Sequence, residues 1–410
     1  MPSERVATLI IGGGQAGLAM SHMLKQRGCP HVVVERHRVA ERWRSERWDG
    51  LRFQFPNWAV KLPDFAFSYA DPDAFATPEE IVAFITAYAE RIAPPLRTGV
   101  EVTALRRRSD QKAFVAATSA GVIEATNVVV ATGPYQRPKI PDLLRDWPDL
   151  FQVHASRYRN PAQLAEGAVL VIGSGASGVQ ITEELMRAGR KVFLAVGHHR
   201  RLPRRYRGKD FWFWATATGR DQTPVEQRGP DRTLPLITGA YGGHTIDLRQ
   251  YAVDGVTLLG RLTDARDGLL YFAADLADNL KAGDESYEMF LDAVDAHVAQ
   301  HGLTAPEEPT ARVKLPDPPG IATSPRQLDI RGSNIRALIW ATGYDFDFNW
   351  IDIPAFAANS GPRHHHGVSE VPGLYFIGLQ WLSKVTSSFL SGVGDDAARL
   401  AGHIAARRAL

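Results

Sequence analysis

Two short apolar runs, Val6-Ala-Thr-Leu-Ile-Ile11 and Ala168-Val-Leu-Val-Ile172, each lead into a glycine-rich turn and then into a stretch of helical periodicity. Unbroken runs of this length, ended by glycine, predict strands covered on both faces. The first unit reads as strand 6–11, turn 12–17, helix to about residue 27 and strand 31–35. The second repeats the plan with strand 168–172, turn 173–178, helix to about residue 188 and strand 191–196. Thr77-Pro-Glu-Glu80 has the form of a helix start, with Pro at the first helical position, and predicts a helix to about residue 92. Strands are expected near 99–107, 113–118 and 126–131, the last ending in Ala131-Thr-Gly133. A strand over Ile335–Trp340 ends in the echo Ala341-Thr-Gly343; a strand and turn over 373–378 and a helix over 395–408 close the chain. Two stretches resist the period: 36–75, rich in aromatics and proline, and 208–320, where only a helix at 286–302 stands out.

Strand alternating with helix predicts an α/β fold with parallel sheets, here two Rossmann-like dinucleotide-binding domains. Features of the first unit return after the second ends, which predicts one domain inserted into the other. The expected bounds are 1–160 with 330–410 for the outer domain and 161–329 for the inner one, the latter with an insertion at about 208–320. A chain of 410 residues, 44% hydrophobic and 22% charged, supports two such cores. The net charge of +2 gives no reason to expect nucleic acid, and Arg106–Arg108 reads as a solvated strand end. No apolar run approaches the roughly 18–20 residues of a membrane span. With a strand starting near residue 6 no targeting peptide is expected, so the expected location is the cytoplasm. The single cysteine, Cys29, excludes an internal disulfide and a two-cysteine redox relay within one chain.

Gly12, Gly14 and Gly17 form G-x-G-x-x-G between strand and helix, where backbone amides and the helix N-terminus meet a pyrophosphate. Gln15 and Ala16 complete that turn; Glu35, followed by Arg36, ends the next strand, where a carboxylate accepts the hydroxyl protons of an adenosine ribose. Gly173, Ser174, Gly175, Ser177 and Gly178 repeat the turn, but the same offset from Gly178 lands on Val196, followed by His198, Arg200 and Arg201. Cations there suit a 2′-phosphate, which a carboxylate would repel. The pair therefore predicts FAD at the first turn and NADPH at the second, with hydride passing between them.

These motifs, together with "ERWRSERWDGLRFQFPNWAVKLP", His154-Ala-Ser-Arg-Tyr158, "LPRRYRGKD" and the two Ala-Thr-Gly segments, resemble the flavin-dependent monooxygenases of the two-dinucleotide-fold type. That group includes flavin-containing monooxygenases, plant auxin-forming flavin monooxygenases, Baeyer–Villiger enzymes and bacterial CzcO-like flavoproteins. The family's linker fingerprint, F-x-G-x-x-x-H-x-x-x-(Y/F/W), is matched in its second half; Pro148 and Leu150 stand where its Phe and Gly would be. The resemblance implies that Arg42, Trp43 and Arg52 lie along FAD and that Val102, at the end of its strand, touches adenine. It implies further that Thr132, Gly133, Gly378 and Leu390 approach the cofactor and that Thr342, Gly343 and Tyr344 form the hinge crossed by NADP. The implied chemistry is formation of a C4a-(hydro)peroxyflavin that gives one oxygen atom of O2 to a small, largely apolar substrate. Gln54 and Asn57 are the candidates for an amide donor beside the flavin; a turn-forming Asn after proline is the plainer reading of Asn57. A reductase or oxidase that passes electrons to a partner, or to O2 as peroxide, shares every dinucleotide motif and stays the alternative. A homodimer is the expected assembly.

Three other features compete for attention. His364-His-His366 reads as a solvated turn rather than a metal site, because contiguous histidines on a regular element do not face one ion and no spaced carboxylate is in view. Phe211-Trp-Phe-Trp214 fits buried packing, the wall of a substrate channel or a subunit contact. Asp395 and Asp396 suit the N-terminus of the last helix.

Overall fold

The computed structural model describes residues 3–110, 112–144, 147, 150–229, 233–356 and 361–408; Pro148 of the linker fingerprint lies outside them. The chain opens with β1 (Ser3–Ile11), α1 (Gln15–Gln26) and β2 (Val32–Glu35). Next comes α2 (Pro78–Ile92), where Thr77 accepts from the Glu80 amide and the Glu80 carboxylate accepts from the Thr77 amide, the reciprocal cap its sequence predicts. Then follow β3 (Leu96–Thr98), β4 (Val102–Arg107), β5 (Phe114–Thr118) and β6 (Gly121–Val130). β1 lies between β2 and β6 and runs parallel to both. Along β1 the side chains alternate between two cores: Ile10 packs with residues of α1 and α2, while Leu9 and Ile11 pack on the other face against Phe114, Val128 and Phe376. That double burial is why the run carries no polar alternation.

The second sheet draws on β7 (Phe151–His154), β8 (Ala168–Ile172), which leads into α3 (Ala176–Arg187), and β9 (Val192–Ala195). After α4 (Phe211–Ala217) and α5 (Leu248–Val253) it adds β10 (Thr257–Leu259). A small antiparallel sheet of β11 (Leu262–Arg266), β12 (Leu269–Phe272) and, beyond α6 (Leu276–His301), β13 (Gln327–Asp329) flanks it. Last comes β14 (Ile335–Trp340), and the five strands stand parallel in the order β7-β14-β8-β9-β10. Pairing thus places 151–154 and 335–340 in the second sheet, whereas the bounds at 160 and 330 had left both with the first. Apolar periodicity shows that a strand is covered on both faces, not which sheet takes it.

The chain then returns to the first sheet through β15 (Ile351–Asp352), the hairpin β16 (His364–His365) and β17 (Val368–Ser369), and β18 (Leu374–Phe376), which pairs with the end of β6. α7 (Val393–Arg408) closes the fold against α1. No described helix is long and apolar enough to cross a membrane.

Two expected elements change. The strand expected at 99–107 breaks at Gly99, whose φ is +73°, so Val102 opens β4 instead of ending a strand. The helix expected from 286 begins at 276, because its first three turns point Asn279, Gly283 and Asp284 inward and so blur the apolar period. Each inward group has a partner: Asn279 donates to the Val196 carbonyl, Asp284 pairs with Arg249, and Gly283 admits the His199 ring.

Candidate active site

The first glycine turn sits at the carboxyl ends of β1 and β6, where parallel sheets bind ligands. Gly12 holds φ at +115°, and a Cβ there would stand 2.6 Å from the Ala131 carbonyl; on Gly17 it would stand 1.9 Å from the Gly12 carbonyl. Helix and strand ends are thereby drawn together with no room for a side chain. In front of Gly14, by contrast, a Cβ meets nothing within 4 Å. Gly14 is also the N-cap of α1 and offers no side-chain cap, unlike Thr77 of α2. An open, uncapped helix start whose neighbours are glycine fits a diphosphate. Across the turn, Glu35 accepts from the Gly13 amide (2.7 Å) and the His37 amide (2.8 Å), which fixes the carboxylate and leaves lone pairs for ribose hydroxyls. Arg36 stands exposed beside it.

Some of the other residues expected around this turn are brought to it. Gln15 donates to the Ser388 carbonyl (2.7 Å), which brings in Leu390, and a Cβ on Gly378 would touch Ala16 at 2.6 Å. Gln136, unforeseen in the sequence, donates to Thr132 Oγ1 and to the Gly133 carbonyl, while its own carbonyl stands 3.5 Å from Arg42. Arg42 pairs with Glu46 at 2.6 Å; Trp43 packs on Phe53 and under the Arg47 guanidinium. Arg52 donates to the Leu51 carbonyl. Val102 requires a correction: at the start of β4 it is preceded by Val100, whose amide donates to the Glu35 carbonyl, so it is the 99–102 approach that borders the ribose end.

The second turn copies the first. A Cβ on Gly178 would stand 1.9 Å from the Gly173 carbonyl, Gly175 faces open space, and α3 has no side-chain cap. Ser177 lies in the first turn of α3, and Ser174 Oγ accepts from the Gly197 amide, closing the loop that follows β9. Beyond that loop the three expected cations separate. His198 is exposed and Arg200 half-buried, and the Arg200 side chain has no hydrogen-bond or ion-pair partner among the described residues. Arg201 is instead turned inward, 2.5 Å from Asp247 and 3.5 Å from Asp284, with its guanidinium over the Tyr287 ring. Its charge is spent there, because a buried cation must be paired, and no sequence pattern showed partners so far along the chain.

The linker residues reach the segment Thr342–Tyr344. Burial pulls the His154 imidazole below the usual histidine range. Its Nδ1 accepts from the Ser156 amide, so Nε2 carries the proton and donates to the Gly343 carbonyl at 3.0 Å. The His154 ring meets the Tyr344 ring edge to face, and Thr342 Oγ1 donates to the Lys139 carbonyl. Tyr158, fully buried, donates to Glu184 on α3 at 2.7 Å. One linker thus ties both the 342–344 segment and the helix of the second turn.

The aromatic stretch 43–58 forms a wall: Phe55 lies 4.5 Å from Trp212 and 5.2 Å from Phe389, beside the Ser388–Leu390 segment. Within Phe211–Trp214, Phe211, Trp212 and Trp214 are buried, as the packing reading expects, while Phe213 is exposed. Behind the wall sits Arg204, buried and missed in the sequence. It is bonded to Asp210, to the Gln54 carbonyl and to the Thr238 carbonyl, between the rings of Phe75 and Phe211. Asn57 is held by the 71–74 loop: its Nδ2 donates one hydrogen to the Asp71 carbonyl at 3.0 Å and its backbone amide donates to the Ala74 carbonyl. It is the turn residue that its place after Pro56 suggested. The Gln54 side chain, half-buried, has no partner among the described residues and keeps its amide free.

Residues 9–210 match the family model described as pyridine nucleotide-disulphide oxidoreductase. A CzcO-like protein of Geobacillus kaustophilus, described as an uncharacterized oxidoreductase, is 32% identical over 97% of this chain and 98% of its own. The indole-3-pyruvate monooxygenase YUCCA1 of Oryza sativa subsp. japonica is 32% identical over 46% of this chain and 47% of its own. Among solved structures, the flavin-containing monooxygenase of Stenotrophomonas maltophilia superposes with a TM-score of 0.69 over 99% of each chain, at 16% identity.

Proposed function

The chain belongs to the CzcO-like oxidoreductases, and on that premise we propose that it is an NADPH-dependent FAD monooxygenase acting on a small, largely apolar organic molecule. When bound, the two coenzymes would supply a hydride and activate dioxygen, so that one oxygen atom enters the substrate and the other leaves as water with a proton from solvent. The observation that carries this reading is the pair of uncapped glycine turns with opposite charge behind them, Glu35 at one and His198 with Arg200 at the other. The carboxylate selects unphosphorylated ribose; the Arg200 guanidinium selects a 2′-phosphate. One cysteine leaves no dithiol to take electrons within the chain, which separates this protein from the disulphide reductases that the family description names.

The chain's own residues orient and shield. Glu35, locked by two amides, would hold the adenosine end of FAD, and the Gln15–Ser388 bond keeps the far segment beside the first turn, where it would help to hold the pyrophosphate. His154 and Tyr158 fix the Thr342–Tyr344 segment and α3, which together would hold the second coenzyme in one orientation. Phe55, Trp212 and Phe389 keep water from the reacting face and favour an apolar substrate. Gln54 is the side chain with a free amide near that face.

Anaerobic reduction by NADPH followed by mixing with oxygenated buffer tests the proposal. A long-lived absorbance intermediate before the oxidised spectrum returns is expected; immediate return with stoichiometric peroxide would overturn monooxygenation in favour of a reductase or oxidase. Coenzyme choice gives a second test. Arg200→Glu is expected to lower kcat/KM for NADPH about 10- to 100-fold, the worth of a charge-assisted hydrogen bond of roughly 1.5–3 kcal/mol, and to leave NADH nearly unchanged. An unaltered NADPH/NADH ratio would remove Arg200 from the 2′-phosphate site.

A further inference from the structure

The triple histidine does something its sequence context hid. β16 and β17 are joined by a two-residue turn, His366-Gly367, with φ of +49° and +86°. Such a left-handed pair is the favoured link between twisted strands, and histidine enters that region more readily than bulkier residues do. Because the backbone reverses hand at His366, successive side chains no longer alternate. The His365 and His366 rings come to lie face to face, 4.1 Å between centroids and 26° between planes. His364 is drawn away, its Nδ1 accepting from the Gly367 amide. Into the space beside the two outer rings comes Glu226, from the single turn Val225–Gln227, with Oε1 2.6 Å from His366 Nε2. One ligand atom from each of Glu226, His365 and His366 lies within 4.8 Å of the others. No spacing rule reveals this carboxylate, because the fold supplies it: the Val225 amide donates to the Ser383 carbonyl at 2.8 Å, and Pro224 bridges Lys384.

We propose that Glu226, His365 and His366 form a surface site for a divalent transition-metal ion of the zinc type. Two imidazoles and a carboxylate are borderline ligands of the kind zinc takes, with water completing the shell. Bond lengths of about 2.0–2.1 Å place tetrahedral ligand atoms about 3.3 Å apart, so closing on the ion needs only side-chain rotation at half-exposed or exposed groups. The neighbouring cation, Arg399, is paired with Asp396 and bonded to the His366 carbonyl, so its charge is already met. Occupation would staple the 220–227 segment to the hairpin. That segment leads through Ser383 to Ser388, the partner of Gln15 at the first glycine turn.

The test is calorimetric titration of zinc chloride into the tag-free full-length protein. One saturable equivalent is expected in the wild type, with affinity reduced at least about tenfold in E226Q, H365A and H366N; the last keeps an Asn-Gly turn, so the hairpin survives. The control is H297A/H301A. His297 and His301 are the other close pair, 4.2 Å apart, but the His301 Nδ1 is used on the His297 carbonyl. Binding unchanged in that control supports the proposal, as does a zinc-induced rise in thermal midpoint that E226Q abolishes. No saturable binding, wild-type affinity in all three single variants, or loss only in H297A/H301A would each overturn it.

Discussion

Gly178→Ala yields a protein that stays yellow and that NADPH no longer bleaches. The added methyl would sit 1.9 Å from the Gly173 carbonyl, far inside contact distance, and no flexible side chain can move aside because the obstacle is backbone. α3 must then retreat from the turn, taking with it the amides that meet the pyrophosphate. A loss of about 100-fold in NADPH affinity, near 2.7 kcal/mol, is expected. Flavin content and reduction by dithionite should be normal, since the first turn is untouched. Gly17→Ala is the mirror experiment, with the same 1.9 Å clash against Gly12, and should purify colourless. If Gly178→Ala kept its NADPH affinity, or if both variants lost FAD alike, the assignment of one coenzyme to each turn would fail.

The second large effect concerns stability. Asp210→Ala strips the partner from Arg204, which is only 3% exposed. Burial already pulls that guanidinium below its usual range, with Asp210 acting in the opposite direction. Removing one member of a buried pair costs about 3–5 kcal/mol, because the remaining charge stays out of water. Asp210 also caps α4 through the Trp212 amide at 2.8 Å, and losing a cap adds about 1 kcal/mol. The thermal midpoint should fall by on the order of 10 °C. The double variant Arg204→Met with Asp210→Leu should recover part of it, since no stranded charge remains. A single variant within about 0.5 kcal/mol of wild type would show that Arg204 is satisfied by the Gln54 and Thr238 carbonyls alone.

What the chain disclosed in advance was local. A strand, three glycines and a helix are contiguous, and the conformations they need are set by neighbours within a few residues, so both turns and Glu35 were legible. The capped start of α2 was legible for the same reason. What stayed hidden depends on residues far apart. Arg201 looked free because Asp247 and Asp284 are invisible to a local count, and Glu226 meets His366 only once the last strands have formed. Asn57 looked like a donor in waiting, but the 71–74 loop folds back onto it. In 208–320 the apolar period failed because polar side chains there face inward and find partners.

The order of the strands has a bearing on how the molecule is made. The second sheet holds all its strands once residue 340 has left the ribosome, but the first must wait for Leu374–Phe376. The part of the chain synthesised first is therefore the last to be finished. Until then the edge of β6 that will receive β18 stays bare over Val128–Val130, an apolar margin open to mispairing by a nascent neighbour. Truncations ending between about 345 and 370 should accumulate in inclusion bodies, whereas a fragment confined to 150–342 has every strand that its own sheet requires.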